Sequence, residues 1–154
     1  MLFVVADADQ SYTGIMHKLL TGSCSCGQVQ FEVKLPAKFV AHCHCNNCRR
    51  AHGAGFVTWA GFLDQHFNLT AGKESLSEYV TETKATRGFC GKCGTPMFFS
   101  SPRWAGEIHV AVAVIDGDLE QLPTVCVYAD RAPNWCLPYS DLPHCGGETG
   151  TEPI

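Results

Sequence analysis

The sequence predicts a mainly β fold: short antiparallel sheets held together by bound metal. Three observations carry that expectation. Two stretches alternate with a period of two, Val29, Phe31, Val33 and Leu35 against Gln28, Gln30, Glu32 and Lys34, and Ile108, Val110, Val112 and Val114 within Glu107 to Ile115. No long segment carries a 3.6-residue period, so helix is not the main element. Seven of the ten cysteines stand close together, in Cys24-Ser25-Cys26, Cys43-His44-Cys45-Asn46-Asn47-Cys48 and Cys90-Gly91-Lys92-Cys93. Thiolates at such spacings suit the tetrahedral preference of zinc.

Taken in order, Gln28 to Leu35 reads as a half-buried antiparallel strand that Pro36 ends. Phe39 to Cys43 is a second strand, delivering the central cysteine cluster at its end. Asn46 or Asn47 is placed to cap a short helical turn running to Arg50. Phe56 to Phe62, rich in aromatic and β-branched residues, is a strand, followed by a turn over Asp64 to Phe67, then Asn68-Leu69-Thr70 and a loop at Ala71-Gly72. Leu76 to Val80, Thr86 to Cys90 and Met97 to Ser100 are short strands. Glu107 to Ile115 alternates to its end, with His109 on the face opposite the valine stripe and therefore exposed or paired. Asp116-Gly117 is a turn, and Val125 to Tyr128 the last strand. Ala132 to Pro143, with its prolines, reads as ordered but irregular.

A chain of 154 residues suits one domain. The expected layout is an N-terminal extension over 1–17, which Met16 as an alternative start would remove, a zinc domain over 18–145 and a frayed tail over 146–154. Fifteen acidic against eleven basic residues give a net charge of −4, and no basic run exceeds Arg49-Arg50. That balance disfavours nucleic acid and anionic membranes as partners. No apolar run approaches the roughly 20 residues that span a bilayer. The first apolar run stops at Ala6 and lacks the basic lead of a signal peptide. Ten cysteines in ligand-like spacing, rather than a disulfide framework, then point to a reducing cytoplasm.

The cysteines divide into two groups with different chemistry. Cys24, Cys26, Cys90 and Cys93 make a closed four-thiolate set, and Gly94 gives the second pair the small residue a tight knuckle turn needs. Such a site ties two points far apart in the chain. Cys43, Cys45 and Cys48 make a set of three with its fourth position to be accounted for. A mixed arrangement, with Cys43 or Cys48 joining Cys90 and Cys93, would leave Cys24 and Cys26 without a role. On an extended Cys43 to Cys45, His44 points away from the shared metal and reads as packed or hydrogen-bonded. His42, His52 and His144 remain as ligands or supporting groups. Cys126, Cys136 and Cys145 sit at no ligand spacing, and Cys126 reads as a small buried hydrophobe.

Four blocks in order resemble the glutathione-dependent formaldehyde-activating enzyme family, to which a centromere protein V branch also belongs. They are Gly22-Ser23-Cys24-Ser25-Cys26-Gly27-Gln28-Val29-Gln30-Phe31-Glu32-Val33, Cys43 to Arg50 followed by Gly53-Ala54, Phe89-Cys90-Gly91-Lys92-Cys93-Gly94-Thr95-Pro96, and Trp135 with Asp141-Leu142-Pro143. The resemblance implies the family's Mss4-like fold of short, zinc-stabilised antiparallel sheets. It implies two zinc ions per chain: a structural one on Cys24, Cys26, Cys90 and Cys93 and a catalytic one on Cys43, Cys45 and Cys48. The activity it implies joins formaldehyde to glutathione as S-hydroxymethylglutathione, formally a carbon–sulfur lyase reaction read in reverse.

Three thiolates on a zinc dication leave a formal charge of −1, a poor setting for generating hydroxide. The set suits holding a substrate thiolate, which favours a small-molecule thiol–aldehyde adduct as substrate. Arg49 or Arg50 is placed to hold a substrate carboxylate; Asp141 with His144 would act as an acid–base pair if the C-terminal segment folds over the zinc, while Asp141 otherwise reads as a turn residue before Leu142-Pro143. The competing reading is a non-catalytic zinc module that binds a protein partner. The two differ in whether the fourth position of the second metal is exchangeable. Oligomeric state has no signature in the sequence.

Overall fold

The structure, a computed structural model of the chain, describes residues 18–154. The expected extension over 1–17 and the start at Met16 lie outside them. The described chain is mainly β, as the alternation requires. Its elements are β1 (Leu19–Ser23), β2 (Gln30–Lys34), β3 (Phe39–Cys43), α1 (Asn46–His52), β4 (Val57–Leu63), β5 (Phe67–Ala71), β6 (Leu76–Val80), β7 (Thr86–Cys90), β8 (Pro96–Ser100), β9 (Glu107–Ala111), β10 (Cys126–Val127), β11 (Cys145–Gly146) and β12 (Glu152–Pro153). They form a seven-stranded sheet in the order β10-β3-β4-β9-β8-β7-β6, a three-stranded sheet β1-β2-β5 and the small hairpin β11-β12. Every pairing is antiparallel except β10 against β3.

The core lies where one face of the large sheet meets the three-stranded one. Phe31 of β2, Phe67 of β5 and Phe98 of β8 meet with ring centroids 5.1–5.7 Å apart. Val33, Ala60, Met97 and Val110 are buried around them. The alternation read from β2 is the cause: its odd positions are buried and its ends exposed.

Across the other face runs a single row. Register pairs Arg87 with Phe99, Phe99 with His109, His109 with Gly61, and Gly61 with Phe39. Directly opposed residues share a face, so all five project to the same side of the sheet. Gly61 is required there, because a Cβ at this position would stand 2.1 Å from the Phe39 ring. The bare glycine lets Phe39 and His109 meet edge-to-face at 4.9 Å.

Several expectations are corrected. β1 was not foreseen; it is held by full antiparallel pairing to β2. The strand from Glu107 stops at Ala111, and Val112–Val114 turn as 3-10 helix, so the valine stripe is broken. His109 is paired, as one branch of the expectation had it, but it is buried at 7% exposure because Phe39, Phe99 and Trp104 crowd its ring. The segment from Gly146 is not frayed. Gly147 donates to Asp130 Oδ2 and accepts from Arg131 Nη2, while Tyr128 donates to Gly150, fixing the β11-β12 hairpin to the body. The last strand from Val125 to Tyr128 shrinks to Cys126–Val127.

Candidate metal centre and adjoining cavity

Two loops build the closed site. Cys24–Gly27 and Cys90–Gly94 each close on themselves, with Gly27 N–H donating to Cys24 O and Gly94 N–H to Cys90 O. Both glycines sit at positive φ, 74° and 75°, where a side chain would be strained. The four Sγ atoms of Cys24, Cys26, Cys90 and Cys93 all lie within 4.8 Å of one another. Cys24–Cys26 and Cys26–Cys90 are 3.5 and 3.8 Å apart. Tetrahedral zinc with bonds of about 2.3 Å would hold its sulfurs about 3.8 Å apart, so the set fits that ion. Val29 N–H donates to Cys24 Sγ, and the Thr95 hydroxyl 3.1 Å from Cys93 Sγ holds that thiol down at about 5. Ser25 N–H also donates to Thr95 Oγ1, cross-linking the two loops.

The second cluster stands where β3 gives way to α1. Cys43 ends the strand, Cys45 caps the helix and Cys48 lies in its first turn, with their three Sγ atoms mutually within 4.8 Å. The cap is a correction: Cys45 Sγ, not Asn46 or Asn47, accepts the Cys48 N–H at 3.3 Å. A sulfur here both satisfies a helix-terminal donor and faces the metal. The two clusters share no cysteine, which removes the mixed arrangement. Cys48 is held well below the usual thiol range by hydrogen bonds from Cys43 and Cys45 and by the Arg87 guanidinium, whose Nη2 lies 3.6 Å from its sulfur.

Among the described residues, no histidine, cysteine or carboxylate completes the second cluster. His44 points away from it, as the extended backbone requires, and is fully buried beside Phe56 at 5.3 Å. Burial lowers its pKa to about 4, and neither ring nitrogen has a hydrogen-bond partner among the described residues. His42 Nδ1 is paired with Thr58 Oγ1 at 2.9 Å, His52 abuts Trp59, and His144 Nε2 donates to Tyr139 O.

Beside the three thiols opens a cavity of about 670 Å³. Its wall is the row across the large sheet, extended by Trp59, Trp104 and Tyr128. Arg49 and Arg50 do not line it. Arg49 donates to His44 O and Arg131 O, bracing the helix, and Arg50 is exposed. Asp141 and His144 do not line it either. The cations at the cavity are Arg87, over the Phe99 ring at 5.1 Å, and Arg103, over the Trp104 ring at 5.2 Å. His109 lines the wall with Nε2 3.6 Å from Glu107 Oε2, and Glu107 is in turn paired with Lys38. Burial holds His109 below the usual histidine value against the opposing pull of Glu107. The β11-β12 hairpin adds Glu148, Thr149 and Thr151 at the margin. The strands that carry Arg87 and His109 were visible in the sequence, but the strand pairing that sets the two in one row was not.

The profile of the family described as glutathione-dependent formaldehyde-activating enzyme matches residues 19–131, a span that contains both cysteine clusters. The chain belongs to that family. A Halomonas elongata protein, whose name assigns it provisionally to the same activity, is 32% identical over 124 residues, covering 76% of this chain and 79% of its own. An uncharacterized lyase of Schizosaccharomyces pombe is 25% identical over 79 residues, 51% of this chain and 56% of its own. The crystal structure of a Rhodobacter sphaeroides protein is similar with a TM-score of 0.57 and 30% identity, covering 67% of this chain and 97% of that one. No helix among the described residues is long and apolar enough to cross a membrane.

Proposed function

We propose that this chain is a zinc-dependent carbon–sulfur lyase-type enzyme of the formaldehyde-activating family, acting on a thiol–aldehyde adduct such as S-hydroxymethylglutathione or a related small adduct. The observation that carries the reading is a three-thiol cluster with no fourth protein donor among the described residues, set beside a cavity of about 670 Å³. Two zinc ions fit the donors: a structural one on Cys24, Cys26, Cys90 and Cys93, and a catalytic one on Cys43, Cys45 and Cys48. Zinc held by Cys43, Cys45 and Cys48 would supply the Lewis acidity that keeps a substrate thiol as thiolate. Ten cysteines outside any disulfide agree with a reducing cytoplasm.

The chain's own residues supply the rest. In the forming direction a sulfur–carbon bond is made, the carbonyl π pair moves to oxygen, and the thiol proton ends on that oxygen; the lyase direction reverses each move. His109, neutral because it is buried, is the group on the cavity wall suited to carrying that proton. With Nε2 turned to Glu107, Nδ1 remains for the exchange. Cys43, Cys45 and Arg87 together hold Cys48 ionised beside the cavity.

Cobalt substitution tests the open position, because cobalt–thiolate charge-transfer bands report the ligand set. Added glutathione or another small thiol is expected to raise the cobalt–sulfur absorption, and Cys48→Ser to abolish the rise. A spectrum indifferent to every thiol would replace this reading with the non-catalytic, partner-binding zinc module.

A further inference from the structure

Resting on the reading of the cavity as a thiol–aldehyde site, we propose that its preferred adduct carries an aromatic body and a single carboxylate, and that Arg103 selects the carboxylate. The walls supply the first half of the argument. Phe39, Trp59, Phe99 and Trp104 line the cavity, with Trp59–Phe99 and Phe99–Trp104 centroids 6.0 and 6.1 Å apart. Such a wall offers ring faces and edges to a flat apolar body and few partners to a polar amide chain.

Charge supplies the second half. Of the two guanidiniums at the cavity, Arg87 is engaged with Cys48 at the metal end. Arg103, exposed at the rim, lies over Trp104 and makes no ion pair or side-chain hydrogen bond among the described residues. An anion bound there gains a charge-assisted, bidentate contact against an apolar backing. The cavity therefore accommodates one anionic group. Among the described residues the one carboxylate that lines it is Glu148 on the hairpin, exposed as Arg103 is, so an ammonium would be met only there, at the margin. Glutathione carries two carboxylates and an ammonium on a peptide backbone, and burying those groups against rings would leave most of them unpaired. The hairpin part of the wall lies beyond residues 19–131, so this portion of the cavity falls outside the segment that the family profile matches.

Sulfur-free probes separate this inference from the metal reading. Binding of 3-phenylpropanoate and of its neutral amide is followed by quenching of cavity tryptophan fluorescence. The acid is expected to bind about tenfold tighter than the amide, about 1.4 kcal/mol, because only the acid offers Arg103 a charge-assisted contact. Arg103→Ala and Arg103→Gln should erase that preference while leaving amide binding unchanged, which also shows the cavity intact; Arg50→Ala should change neither. On zinc-loaded protein, 4-(sulfanylmethyl)benzoate, whose thiol and carboxylate stand at opposite ends of one ring, should bind at least tenfold tighter than glutathione. An acid-to-amide ratio unmoved by both Arg103 variants, or glutathione binding as tightly as the aromatic thiol, would overturn the proposal. Thiol-indifferent cobalt bands together with an Arg103-dependent acid preference would sink the thiol–aldehyde reading and leave the carboxylate selectivity standing.

Discussion

A histidine on the polar side of an alternating strand ends sealed among Phe39, Phe99 and Trp104, with centroids 4.9–5.6 Å from its ring. Alternation tells which face His109 takes; it does not tell that rings from neighbouring strands crowd it there. The consequence is a pH dependence whose sign is fixed. Burial lowers the folded pKa of His109, so the unfolded chain binds more protons than the folded one below the ordinary histidine value of about 6.5. The stability this site contributes is present above that pH and is lost as pH falls below it. Glu107 and Cys48 pull the other way, and Lys38 reinforces the shift. Urea unfolding at pH 7.5 and 5.5 should show a smaller drop in His109→Gln than in the wild type, the loss from protonating metal thiolates being common to both. Equal drops would mean that His109 already titrates normally in the fold. The same substitution should lower turnover of a thiol–aldehyde adduct.

At the scale of elements, the row Arg87–Phe99–His109–Gly61–Phe39 links five strands to one surface, and Gly61 is its narrowest point. Gly61→Ala forces the Phe39 ring out of its place, because the clashing atoms belong to a ring packed in a β strand. We expect a loss of about 1–3 kcal/mol in chemical unfolding, typical of overpacking, and weakened binding of aromatic probes to the cavity. An unchanged midpoint would show that Phe39 swings away freely. The strands at Phe39–Cys43, Leu76–Val80 and Thr86–Cys90 stand where composition and alternation put them, since each is a self-contained run of β formers between turn signals. Leu19–Ser23 gave no such signal. Its strand exists through pairing with β2, as the β11-β12 hairpin exists through Asp130 and Tyr128. Contacts of that range leave no local pattern. The cysteine groups were legible because ligand spacing is local, whereas Arg87 and Arg103 reach the cavity only through the sheet.

For the whole molecule, the two metal clusters differ in what they join. Cys26 and Cys90 are 64 residues apart in sequence, and their cluster ties the start of β2 to the end of β7. Closing a loop of that length is worth about 4 kcal/mol of chain entropy, before any metal–thiolate bonding energy is counted. Cys43, Cys45 and Cys48 lie close together at one strand–helix junction and close almost nothing. Two sulfurs of the first cluster, those of Cys26 and Cys93, are exposed, so its retention of metal rests on four-thiolate closure rather than on burial. Zinc-reconstituted protein should therefore carry two ions per chain by elemental analysis, one removed readily by a chelator and one released only on unfolding. Cys93→Ser should lower the melting temperature severely or prevent folding. Cys45→Ser should melt within a few degrees of the wild type and lose the labile ion alone, the sulfur cap at the start of α1 being replaced by a hydroxyl that also caps. If both variants melted alike, the division into a structural and an exchangeable site would be wrong, and the cavity beside Cys48 would have no open metal to serve.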